Sequence, residues 1–272
     1  MKIASQNALA DSSLITLHDQ VWLDRQRMAG KAAAGALVLL EQLVKDRTTK
    51  SLLELDRIAE EYILEHSCAP TFKGYRGFPN CCCISVNQQL VHGIPTDYHL
   101  QDGDLISFDL GATFEGAIAD TALTCIWGEP KEEAHVKLVQ ATKDALTKAI
   151  ETVAVGKRLG VIGNAIYKHG KDNGFSVVEN YGGHGISMTA SGIGIPHAPP
   201  FVANRSNPNE GVIIQVGMVL AIEPLFVLGS STKTRTLGDG WTVACENMCS
   251  HHEHSVYIHE NRVEIITERH VS

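Results

Sequence analysis

The chain has 272 residues, of which 44% are apolar and 20% charged, and its formal net charge is −8. That balance suits one large folded α/β or α+β unit with a sizeable core and excludes a disordered chain. The negative charge gives no broad electrostatic footprint for nucleic acid, and no apolar run approaches the roughly 18 residues that span a bilayer.

The opening residues MKIASQNALADSS lack the apolar core of a signal peptide, so a cytoplasmic protein is expected. Helical periodicity begins near Leu17 and runs to Lys45 through AGKAAAGALVLLEQLV. Ser51-Leu-Leu-Glu54 has the form of a capping box and predicts a second helix, with Leu52, Leu55, Ile58, Ala59, Tyr62 and Ile63 on its apolar face. TFKGYRGFPN is turn-rich, and CCCISVN is strand-like. Seven cysteines, three of them consecutive at Cys81, Cys82 and Cys83, contain no CxxC pair. They read as small apolar thiols of a reducing compartment, not as a disulfide framework or a structural zinc site.

After Pro130 the order restarts: a helix over Glu132 to Val153, a shorter one from Leu159 to Asp172, and Asn173-Gly174 before the strand FSVVEN. GMVLAIEPLFVL, WTVAC, HSVYI and VEIIT follow as strands. The expectation is a single catalytic-size domain, 1–272, built from two similar halves at about 12–129 and 130–268. No linker separates them.

The hairpin SFDLGATFEGAIADT carries Asp109 and Asp120 within apolar strands. A turn centred between Phe114 and Glu115 sets the two aspartates directly opposite each other, with Cβ atoms about 4.5–5.5 Å apart. Like charges at that distance repel unless a cation lies between them. The alternative is that both point to water near a loop. An imidazole among the partners would shift the choice of cation from Ca²⁺ or Mg²⁺ toward first-row transition metals. His184 in GGHG, Glu223 in AIEP, whose Pro224 should end regular strand pairing, and Glu253 in HHEH are candidates. In HHEH, strand alternation puts His252 and His254 on the face opposite Glu253, which leaves Glu253 as the candidate from that cluster.

Asp109, Asp120, GGHG, AIEP and HEH, in this order over nearly the whole chain, with VHGIP at 91–95 and DGWT at 239–242, resemble the type I methionine aminopeptidases. The resemblance implies an α+β pita-bread fold of the creatinase/aminopeptidase kind, with pseudo-twofold halves and a curved antiparallel β-sheet covered by helices. It implies two divalent ions (Co, Mn, Fe or Zn) on Asp109, Asp120, His184, Glu223 and Glu253. Four carboxylates and one imidazole neutralise most of the charge of two such ions, which can lower the pKa of a bound water from about 15.7 toward 7.

By the same resemblance His92 lies beside the scissile amide and His197 hydrogen-bonds the substrate carbonyl, while Glu223 is the general base. For His92 the alternative is a buried structural histidine in a Gly-Ile-Pro turn. Phe72, Tyr75, Phe78, Cys83 and Trp241 would line the methionine pocket; the alternative is plain core. The segment GHGISMTASGIGIPHAPP departs from the family pattern, with several extra residues before His197 and Ala198 where a glutamate is usual. The implied activity is removal of N-terminal methionine from peptides and nascent chains when the second residue is small, by a monomer with a transient ribosome contact, no specific nucleic acid and no membrane. Proline-directed relatives carry a large N-terminal domain for which the stretch before Asp109 leaves no room. A catalytically inactive pita-bread binding protein would be expected to have lost ligands.

Overall fold

Asp19 stops the chain from entering the first helix at Leu17, because its side chain accepts from the Trp22 amide at 2.9 Å and caps α1, Gln20–Lys45. Ser51 does the same for α2, Leu52–Glu65, accepting from the Glu54 amide at 3.3 Å as the capping box predicts. The second helix pair is α3, Glu133–Thr152, and α4, Gly160–Asp172. The computed structural model describes residues 15–269, so the start of the expected first half, 12–14, lies outside the described residues.

The strands are β1 (Ala69–Pro70), β2 (Cys82–Val86), β3 (Gln89–Val91), β4 (Leu105–Phe114), β5 (Ala117–Ile126), β6 (Ser176–Val177), β7 (Gly182–Met188) and β8 (Gly194–Ala203). Then come β9 (Val219–Ile222), β10 (Leu225–Val227), β11 (Arg235–Thr236), β12 (Val243–Ala244), β13 (Cys249–His251), β14 (Glu253–Ile258) and β15 (Val263–Ile265). FSVVEN and WTVAC thus contribute only two strand residues each. A curved antiparallel sheet runs β1-β4-β5-β14-β9-β7-β8, with β2 added to β4 and β15 to β14. Two three-stranded sheets, β13-β10-β6 and β11-β12-β3, flank it. The result is the expected α+β architecture.

Strand alternation sorts the sheet into a helix-covered face and a site face. Phe108, Leu110 and Ala112 of β4 enter the core that α1 and α2 close with Leu37, Leu40, Leu55 and Ile63. Leu220 and Ile222 of β9 enter the core that α3 and α4 close with Leu138, Leu146, Ile162 and Ile166. The intervening positions, Asp109 and Asp120 among them, face the other way. No helix among the described residues is long and apolar enough to cross a membrane.

The register of the central hairpin corrects the sequence expectation. Phe114 pairs with Ala117, Asp109 with Ala122, and Gly111 with Asp120, so the two aspartates are diagonal neighbours, not direct opposites. The turn is Glu115-Gly116, with φ of 46° and 84°. Two left-handed residues make a tight hairpin turn whose twist matches the strands, and this outweighs a turn centred one residue earlier. A slip of two keeps both carboxylates on one face and sets each against a small residue, Ala122 or Gly111.

Pro224 ends regular pairing as expected. β9 stops at Ile222, and the chain resumes as β10 in a different sheet, paired with β13 and β6.

Candidate active site

Five strands or strand ends bring the expected ligand-type residues together. Asp109 comes from β4, Asp120 from β5, His184 from β7, Glu223 from the break after β9, and Glu253 from the first position of β14. His184 Nε2 lies 3.7 Å from an Asp120 oxygen and 3.8 Å from a Glu223 oxygen. Ligand atoms of Asp109, Asp120 and Glu253 fall within 4.8 Å of one another, as do those of His184, Glu223 and Glu253. The backbone is crowded where His184 enters: a Cβ on Gly183 would stand 2.1 Å from the Ala221 carbonyl of β9, so only glycine permits that approach.

The electrostatics of this group are unbalanced. Asp120 and Glu253 are 1% and 2% exposed, yet Asp109 Oδ1, Asp120 Oδ1 and Glu253 Oε1 are buried without a hydrogen-bond partner. Burial pushes the Asp109 carboxyl up to about 7. Burial, with Asp109 beside it, pushes Glu223 up to about 8. Asp120 and Glu253 are raised well above the carboxylate range, first by burial and then by their acidic neighbours. Four carboxyl groups left in this state need either protons or a cation.

The histidines are held neutral. Burial lowers His92 to about 3 and His184 to about 4, and it lowers His197 well below its ordinary value with help from His184 and His92. His92 sits just past β3 with φ of 59°, its ring edge-on to Tyr181 at 6.4 Å. His197 of β8 lies beside His184, ring centroids 4.4 Å apart, and stacks on Tyr75 at 5.5 Å and Phe72 at 6.2 Å. Its ligand atom also groups with those of Asp120 and His184.

These groups line one cavity of about 370 Å³. Its apolar wall is the cluster of Phe72, Phe78 and Cys83, against which Ile94 and Trp241 pack. Trp241 meets Phe78 edge-on at 5.2 Å. The two flanking motifs build this wall jointly: the Asp239 carboxylate accepts from the Trp241 and Thr242 amides at 2.9 and 2.8 Å, and Thr242 Oγ1 accepts from the Ile94 amide at 3.3 Å. VHGIP and DGWT are therefore hydrogen-bonded to each other, and β3 pairs with β12 in register Val91 to Val243.

The extra residues before His197 prolong the β7–β8 hairpin. None of residues 186–196 lines the cavity. Their far end packs instead on the tip of the β4–β5 hairpin, where a Cβ on Gly194 would meet the Gly116 carbonyl at 2.4 Å. Register shifts after His184 and Gly185 absorb the difference and leave Ala198 opposite Gly185.

Two residues near the carboxylates escaped the sequence reading. His251 Nε2 lies 3.5 Å from Glu223 and 3.8 Å from Glu253. Alternation placed His251 on the Glu253 face, and that signal was available. His254 does turn away, to Thr267 at 2.9 Å. Arg269, half-buried, donates to the carbonyls of Ala122 at 3.1 Å and Glu253 at 3.3 Å, tying β5 to β14. A lone arginine near the end of the chain carries no motif that would have disclosed it.

Comparison with known proteins agrees with this geometry. The pattern of metallopeptidase family M24 matches residues 24–260. The chain is 42% identical to a methionine aminopeptidase of Clostridium perfringens over 93% of this chain and 99% of that protein. It is similar in structure to the methionine aminopeptidase of Thermotoga maritima, with a TM-score of 0.87 and 33% identity over 94% of this chain and all of that one. A prolidase from Pyrococcus furiosus shares the fold at a TM-score of 0.70 and 18% identity, but this chain covers only 66% of it. The chain belongs to metallopeptidase family M24 and, within it, to the methionine aminopeptidases.

Proposed function

We propose that this protein removes the N-terminal methionine from peptides and nascent chains whose second residue is small, as a single catalytic domain holding two divalent first-row ions. The observation that carries the proposal is the convergence of four carboxylates and an imidazole with buried oxygens that nothing in the protein satisfies. That donor set fits such ions. Asp109, Asp120, His184, Glu223 and Glu253 would hold them, and they would supply a water of lowered pKa, polarise the scissile carbonyl and bind the free α-amine.

The protein's own groups supply the rest. Glu223, which bound ions would keep ionised, is placed to take the proton from the attacking water. His92 and His197, held neutral, offer hydrogen bonds to the scissile amide and its carbonyl without adding a charge that would oppose a cation. The Phe72, Phe78, Cys83 and Trp241 wall buries the methionine side chain, a gain of about 1.5–3 kcal/mol, and Tyr75, stacked on His197, lines the same cavity. A transient ribosome contact follows from that role on nascent chains, and the protein is proposed to be a cytoplasmic monomer.

The test compares Met-Ala-Ser with an Xaa-Pro peptide while Mn²⁺, Fe²⁺ or Co²⁺ is titrated into chelator-treated protein. Release of methionine from the first peptide alone is expected. Cleavage of the second alone would replace this specificity with a proline-directed one, and cleavage of neither would favour an inactive binding protein.

A further inference from the structure

The segment Gly74 to Gly77 crosses the mouth of the cavity with three left-handed residues: Gly74 at φ 86°, Arg76 at φ 50° and Gly77 at φ 87°. A residue with a Cβ adopts that conformation at a steric cost that glycine would not meet. The side chain is an exposed guanidinium, its Cζ 5.3 Å from the centre of the Tyr75 ring. Tyr75 stacks on His197, and His197 lies against His184. A ladder of rings thus runs from the cation at the mouth to the ligand group at the floor.

Among the described residues lining the cavity, Arg76 is the one charged side chain outside the carboxylate and histidine groups. Thr236, Gly240 and Trp241 also line the cavity, and the acid of that turn, Asp239, is engaged by Trp241 and Thr242. Arg76 has interactions of its own, and a guanidinium with five N–H donors serves more than one acceptor. A peptide that enters amine-first must lay its downstream residues across this mouth.

We propose that Arg76 is a specificity-determining residue that recognises a substrate carboxylate beyond the second residue, either an acidic side chain at the third or fourth position or the free terminus of a short peptide. This rests on the aminopeptidase reading above. The cation–π contact holds the guanidinium over Tyr75, and its planar fork suits a carboxylate. The pair is exposed and screened by salt, which limits the preference to between about two- and fivefold.

The experiment measures kcat/KM at low ionic strength for amidated Met-Ala-Xaa-Gly and Met-Ala-Gly-Xaa peptides, with Xaa as Asp, Asn or Lys, and for Met-Ala-Gly as free acid and amide. At one or both positions the order Asp, Asn, Lys is expected for the wild type, falling together as salt rises. Arg76→Gln should abolish the ratio, Arg76→Glu should invert it, and Arg76→Lys should keep most of it, which separates charge recognition from damage to the loop. A greater preference for the free acid than for acidic side chains assigns the site to short peptides. Equal rates for Asp and Asn at both positions together with equal rates for acid and amide, or a preference that survives in Arg76→Gln, overturn the proposal. Cleavage of the Asn peptides by the wild type tests the underlying activity separately.

Discussion

Two regions of one cavity are buried to a similar depth and differ in what burial leaves undone. On the wall, Phe72, Phe78 and Cys83 are 6%, 3% and 4% exposed and fill one another's space with Ile94 and Trp241. On the floor, Asp120 and Glu253 are 1% and 2% exposed, and each keeps an oxygen without a partner. Apolar groups are finished by packing, whereas carboxylates out of water are finished only by a proton, a donor or a cation. Packing alone therefore completes the wall, whereas the floor has the donor set of a cation site.

The sharpest way to break that contrast is to remove one floor charge. Asp109→Asn or Glu253→Gln should lower kcat/KM by about 10³-fold or more, the scale of losing charge stabilisation at the reacting centre. The chelator-treated variant should at the same time be at least as stable as the wild type, because a buried unpaired carboxylate has been removed. An active variant would show that residue not to be a ligand. Next in size, His92→Ala should lower kcat by about 10²–10⁴-fold while bound metal, measured by elemental analysis, stays at the wild-type level. Loss of metal would instead give His92 a ligand's role.

On the wall, Phe78→Leu should act on binding, raising KM by about three- to tenfold with kcat nearly unchanged, as a partial loss of apolar burial requires. A fall in kcat alone would place Phe78 in the chemistry.

The smallest effect is the pH dependence of the metal-free protein. Asp109 and Glu223 are raised to about 7 and about 8 in the folded state, so the folded form binds more protons than the unfolded form above the ordinary carboxylate range, and stability falls as pH rises toward 8. His92, His184 and His251, lowered to about 3, 4 and 3, act in the opposite sense below their ordinary value near 6.5. Unfolded histidines have lost most of their protons by about pH 7.5, so between about pH 7.5 and 8.5 the raised carboxyl groups set the sign of the difference. The melting temperature of chelator-treated protein should fall across that window, and added Mn²⁺ should reverse the slope because binding releases protons. A melting temperature that rises over the window without metal would contradict the electrostatics of the floor.

The floor was more legible in the sequence than its details. Asp109 and Asp120 stood out because acidic residues interrupt apolar strands, and an even slip of register left their shared face intact. The slip itself came from Glu115, a non-glycine residue taking a left-handed turn position, which composition does not announce. His197 was legible despite the longer hairpin because the extra residues are absorbed beyond the cavity. His251 was legible by its alternation with Glu253, although the chain breaks at His252 and the two sit in different sheets while pointing to one place. Arg269 acts on backbone carbonyls, a contact that no side-chain pattern encodes.

The central claim is that the buried carboxylates form a cation site, and the most direct measurement is calorimetric titration of Mn²⁺ into chelator-treated protein near pH 7.5. Two bound ions per chain, protons released on binding and a raised melting temperature are predicted. Absence of binding in protein that is demonstrably folded would contradict it.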